Sequence, residues 1–118
     1  MSYDLDFWKY KEGIYLDNQQ VYEKLSDGDF VDGLEILPIS QIIKDIKEEF
    51  SDWTITNHDF EKDGKGAFQL FTTEQFVRVD CYGVSGDDMN KLIDILLKYG
   101  CPLYDPQVSE RFDEHATS

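Results

Sequence analysis

Ser2-Tyr3-Asp4-Leu5-Asp6-Phe7-Trp8-Lys9-Tyr10 is the stretch on which the fold turns. Tyr3, Leu5 and Phe7 alternate with Asp4, Asp6 and Trp8, and a side-chain period of two over six residues marks a half-buried strand. One face is apolar and needs a cover. The other offers two carboxylates and an indole, and the expectation is that it stays open.

Working outward from this strand, Asp17 with Gln20 three residues on caps a short helix whose stripe is Val21, Tyr22 and Leu25. Ser26-Asp27-Gly28 ends it, and residues 30–37 around Gly33 read as loop. Ile39, Ile42, Ile43, Ile46 and Phe50 fall on one face of a second helix, with Pro38 in its first turn. Residues 53–60 hold a brief extended piece, broken at Asp63-Gly64-Lys65-Gly66. Residues 67–72 and 75–82 form a hairpin. In its second strand Val77, Val79 and Cys81 face one way, and Phe76, Arg78, Asp80 and Tyr82 the other. Ser85 with Asp88 opens a third helix with the stripe Met89, Leu92, Ile93, Leu96 and Leu97, stopped by Gly100. Residues 101–104 make a last short strand edged by Pro102. Residues 108–118 are polar and expected to fray.

The order strand, helix, helix, strand, strand, helix, strand predicts one α+β domain over residues 1–107. It matches a ferredoxin-like split βαβ sandwich with an extra first helix: an antiparallel sheet, first and third strands as central neighbours, helices on one face. The open face then sets Asp4, Asp6 and Trp8 beside Arg78, Asp80 and Tyr82.

At 118 residues one domain can bury roughly two-thirds of the surface its unfolded chain exposes, enough for an ordinary core. Aromatic residues are 14% of the chain, so that core need not depend on disulfides or metal. Cys81 and Cys101 lie in apolar runs and read as reduced, structural thiols. No charged-then-apolar leader precedes Tyr3 and no apolar run approaches about 18 residues, so the expectation is no signal peptide, no membrane span and a cytoplasmic location.

Charge is the strongest global signal. The 25 Asp and Glu against 11 Lys and Arg give a net charge of −14, a field that repels phosphate backbones and anionic membranes and speeds encounter with a basic partner. Direct nucleic-acid binding is disfavoured. The acids are clustered: Asp27, Asp29, Asp32 and Glu35 have no base among them, and Glu48, Glu49, Asp52, Asp59, Glu61 and Asp63 are opposed within their stretch only by Lys62.

Chemical motifs are sparse. His58 and His115 lie in a loop and in the tail, Ser40 and Ser85 have no partner that spacing identifies, and the run of Asp27, Asp29 and Asp32 lacks the alternating ligands and distant Glu of a calcium loop. The expectation is no enzyme, no catalytic or metal site and no cofactor. Asp4 and Asp6 stand apart, because residues two apart on a strand share a face. They are read either as a wet face paired to Arg78 or as contacts to a partner's Arg or Lys, with Trp8, Tyr82 and Tyr104 as anchors. An alternative is a small enzyme or ligand-binding domain built on Asp4, Asp6 and Asp80.

Near the other end the chain reads Tyr99-Gly100-Cys101-Pro102-Leu103-Tyr104-Asp105-Pro106-Gln107. With the opening Met1-Ser2-Tyr3-Asp4-Leu5 and Trp8, it resembles small acidic bacterial immunity proteins encoded beside polymorphic toxins, including those of contact-dependent growth inhibition. The resemblance implies a cytosolic inhibitor that binds one cognate toxin domain, commonly a basic nuclease, and blocks it. It implies further that residues 11–65, which lack the shared features, face the variable toxin. Charge and face nominate Asp27, Asp29, Asp32, Glu35, Asp52, Asp59, Glu61, Asp63, Asp4, Asp6, Trp8, Asp80 and Tyr82 as toxin contacts. A Tyr-Asp-Leu start shared by relatives with different toxins is as well explained by structure, which favours the acidic loops over the strand.

Overall fold

The computed structural model describes residues 2–107 and 110–112. Its elements are β1 (Ser2–Phe7), α1 (Asn18–Ser26), α2 (Ile39–Glu49), β2 (Thr54–Thr56), β3 (Asp59–Lys62), β4 (Gly66–Thr73), β5 (Phe76–Tyr82), α3 (Gly86–Lys98), β6 (Leu103–Asp105) and β7 (Glu110–Phe112). The fold is α+β. All the strands join one antiparallel sheet in the order β2-β3-β4-β5-β1-β6-β7. β1 is central, between β5 and β6, as its alternation requires.

The first face of the sheet carries the main core. Leu5 and Phe7 of β1, Val77, Val79 and Cys81 of β5, Phe68 and Leu70 of β4 and Phe60 of β3 meet Ile42 and Ile46 of α2 and Leu92, Ile95 and Leu96 of α3. Both caps form as their sequences require: Asp17 accepts from the Gln20 amide and Ser85 from the Asp88 amide. Each satisfies a first-turn N–H that no helical carbonyl can reach. Tyr99 donates to Asp45, tying the end of α3 to α2. In α3 the buried stripe is Leu92, Ile95 and Leu96, and Leu97, expected inside, is 43% exposed. The two cysteines are free and buried in this core. Burial pushes the Cys81 thiol up to about 12 and the Cys101 thiol up to about 11, so both remain uncharged at neutral pH.

The second face is not open, which corrects the expectation of helices on one face only. Trp8, Phe76 and Tyr104 belong to it by strand parity, and they form a second core with Val21 and Leu25 of α1 and with Val31 and Leu34 of the loop that follows. The cause is aromatic area. Trp8 lies 5.1 Å from Tyr104 and 6.4 Å from Phe76 between ring centroids, and rings of this size bury about 150–250 Å² each, too much to leave in water. The narrow stripe of α1 is the cover they take.

Two further differences concern strands. The brief extended piece is a hairpin, β2 with β3, turning at Asn57, whose φ of 56° is left-handed. The tail expected to fray from residue 108 instead supplies β7, paired to β6 over residues 110–112. The rest of that tail lies outside the described residues.

Candidate functional site

On the second face, β1 and β5 set Asp4 opposite Asp80 and Asp6 opposite Arg78. The Arg78 guanidinium pairs with Asp80 at 3.2 Å and lies 4.7 Å from the centre of the Phe71 ring. The Tyr22 hydroxyl donates to Asp4 at 3.3 Å. Asp6 is fully buried, and neither of its carboxyl oxygens has a hydrogen-bond partner among the described residues. Burial, with the nearby Asp4 charge second, pushes its pKa from 3.8 up to about 8. Burial and then a hydrogen bond with the Asp4 carboxyl group also raise Asp80. At neutral pH Asp6 therefore holds its proton.

This geometry corrects part of the contact set. Trp8 and Asp6 are fully buried, and so is Tyr104; a side chain with no exposure cannot touch a partner in this conformation. Asp4 and Asp80 are half-buried beneath Tyr22 and beside Arg78, and of the nominated residues on this face only Tyr82 is exposed. Among the described residues no group of three or more His, Cys, Asp or Glu is placed to hold a metal ion.

The acids after α1 have a different setting. Asp27, Asp29 and Asp32 are exposed and Glu35 half-buried, yet the backbone that carries them is pinned. The buried Gln75 side chain accepts from the Val31 amide at 2.9 Å and donates to the Val31 carbonyl at 2.8 Å. The Leu37 amide donates to the Glu74 carbonyl at 2.8 Å, and the Lys11 amide to the Gly33 carbonyl at 2.9 Å. Val31, Leu34 and Leu37 point into the cores while the carboxylates between them face water.

Exposed apolar side chains that sequence reasoning missed lie on this loop and on the segment before α1. Tyr15 is 71% exposed, Phe30 59% and Ile36 56%, with Ile14 and Leu16 partly exposed. Gly33 joins the two segments. Its φ is +100°, and a Cβ there would lie 3.0 Å from Ile14 and 3.6 Å from Leu16, so the segment holding Ile14, Tyr15 and Leu16 runs directly over it. Ile14-Tyr15-Leu16 lies in the connection between β1 and α1. The available signal was three successive apolar residues in a segment with no strand partner to bury them.

The second acidic group is elsewhere. Asp59 and Glu61 flank buried Phe60 on β3 and are exposed, Asp63 is in the following turn, and Asp52 pairs with the Lys62 ammonium. β4 and β5 separate β3 from β1, whereas the loop carrying the acids that follow α1 is tethered at Glu74 and Gln75, between β4 and β5. No family model matches the chain, and no curated protein sequence or solved structure matches it either.

Proposed function

We propose that this chain is an immunity protein that binds and neutralises a cognate protein toxin domain in the cytoplasm, acting by binding rather than by catalysis and without a cofactor. The observation that carries the reading is the pinned loop on which exposed Phe30 and Ile36 stand among Asp27, Asp29, Asp32 and Glu35, with Ile14 and Leu16 packed against its Gly33. Aromatic and aliphatic side chains at the centre of an interface supply affinity, and a charged rim supplies encounter rate and choice of partner. A backbone ordered before binding loses little entropy on docking. With a net charge of −14, the partner that fits is a basic domain such as a nuclease, whose phosphate-binding surface takes an acidic loop in place of its substrate. The resemblance of the two chain ends to immunity proteins points the same way. The fold reading that goes with it is a ferredoxin-like core of β1, β4, β5, β6, α2 and α3, to which α1, β2, β3 and β7 are additions. The strand order β4-β5-β1-β6 supports it.

The test is co-expression with the variable C-terminal domain of a large secreted protein encoded immediately upstream. Expected are rescue of growth and co-purification of the pair. A domain that stays toxic and elutes without this chain would overturn the reading.

A further inference from the structure

A cavity of about 340 Å³ opens between the segment after β1, the end of α3 and the start of β6. Its wall is lined by Lys9, Lys11 and Arg111, by Tyr10 and Tyr15, and by apolar Ile14, Leu97 and Pro102. In a chain with 25 acids and 11 bases, the described residues that line this space include three bases and a single acid, Glu12. The cations are placed by packing. The Lys9 stem lies across Gly100, close enough that a Cβ there would come within 3.0–3.2 Å of it. Arg111 donates to the Trp8 carbonyl at 2.6 Å and stacks 4.6 Å from the centre of the Tyr10 ring. Tyr10 and Tyr15 lean together at 6.0 Å, and Leu97 turns its side chain out of the core towards this space, which accounts for its exposure.

We infer that this cavity is a binding site for a small organic anion, a carboxylate or sulfonate carried on an aromatic or aliphatic body. The size suits such a ligand, since sites for small molecules begin at about 300 Å³ and combine an apolar wall with a few placed polar groups. Lys9 and Lys11 select the anionic group against the field of the rest of the chain. Nothing in this inference depends on the toxin-binding reading.

The probe is anilinonaphthalene sulfonate, titrated by fluorescence into the full chain, with uncharged phenylnaphthylamine as its counterpart. Expected are saturable one-to-one binding of the sulfonate and about a fivefold loss of affinity in Lys9→Gln/Lys11→Gln, with the counterpart unmoved by that change. Phe30→Ser, on the acidic surface, leaves the affinity unchanged. If the double variant fails to fold, Lys11→Gln alone carries the comparison, with about a twofold loss. Binding that does not saturate, that is equal for the two probes, or that disappears with Phe30→Ser overturns the inference.

Discussion

Asp6 and Arg78 face each other directly across β1 and β5, yet the guanidinium pairs with Asp80 and leaves both Asp6 oxygens without a hydrogen bond among the described residues. The second core is thus built over an acid that is stable there only with its proton on.

Stability should therefore fall as pH rises. The folded-state pKa of Asp6 is about 8 against an ordinary 3.8, so its contribution is full below about pH 4 and is lost as pH climbs through 8. Asp80, also raised, acts in the same direction. Asp45 and Asp52 are held low by hydrogen bonds from Tyr99 and Lys62, and their opposite effect lies at more acid pH. Urea unfolding at pH 5 and pH 9 should show a loss on the order of several kcal/mol, much reduced in Asp6→Asn. A wild-type midpoint level across that range would contradict this.

Gln75→Ala should loosen the acidic loop without dissolving the fold. It removes the partner of the Val31 amide and carbonyl, a cost of about 2 kcal/mol for buried backbone groups left unmet. Amide exchange at Val31 and Leu34 should accelerate well before that at Val77 or Val79. Uniform acceleration across the sheet would show that the loop is not a separately tethered unit.

Gly66→Ala should be far more costly than Gly64→Ala. Gly66 starts β4 at a φ of +102°, and a Cβ there would lie 2.5 Å from the Tyr82 carbonyl oxygen, whereas Gly64 at +77° has open space around it. Thermal unfolding should show a loss of about 1 kcal/mol at Gly64, from backbone strain alone, and at least twice that at Gly66. Equal losses would mean that the close approach of the β4 and β5 ends relaxes freely.

Much of the main core was legible in residue spacing. The alternation of Tyr3, Leu5 and Phe7, the run from Ile39 to Phe50 and the alternation of Val77, Val79 and Cys81 each announce a face, and these faces meet. The side taken by α1 was not legible, because Val21 and Leu25 state that a helix has an apolar stripe but not which face of a sheet it covers. Trp8, Phe76 and Tyr104, three aromatic residues at positions read as outward, carried that information, and their joint burial depends on β5, β1 and β6 being neighbours. The β2–β3 hairpin escaped because Asn57 supplies its left-handed residue without a glycine. At the candidate surface the acids were legible as a charge run. The apolar half was not, because it is split between two segments far apart in sequence that meet around Gly33.

The most direct measurement is the kinetics of association with the toxin domain proposed as the partner, made catalytically inactive, compared across three sets of variants. Asp29→Asn/Asp32→Asn/Glu35→Gln should slow association about tenfold at low salt and much less at high salt, and Phe30→Ser/Ile36→Ser should speed dissociation about tenfold or more. Asp59→Asn/Glu61→Gln/Asp63→Asn, on β3 and the turn after it, should change either rate by less than about threefold. Wild-type rates for the first two sets, with the loss falling on the third set, would contradict docking through the loop surface.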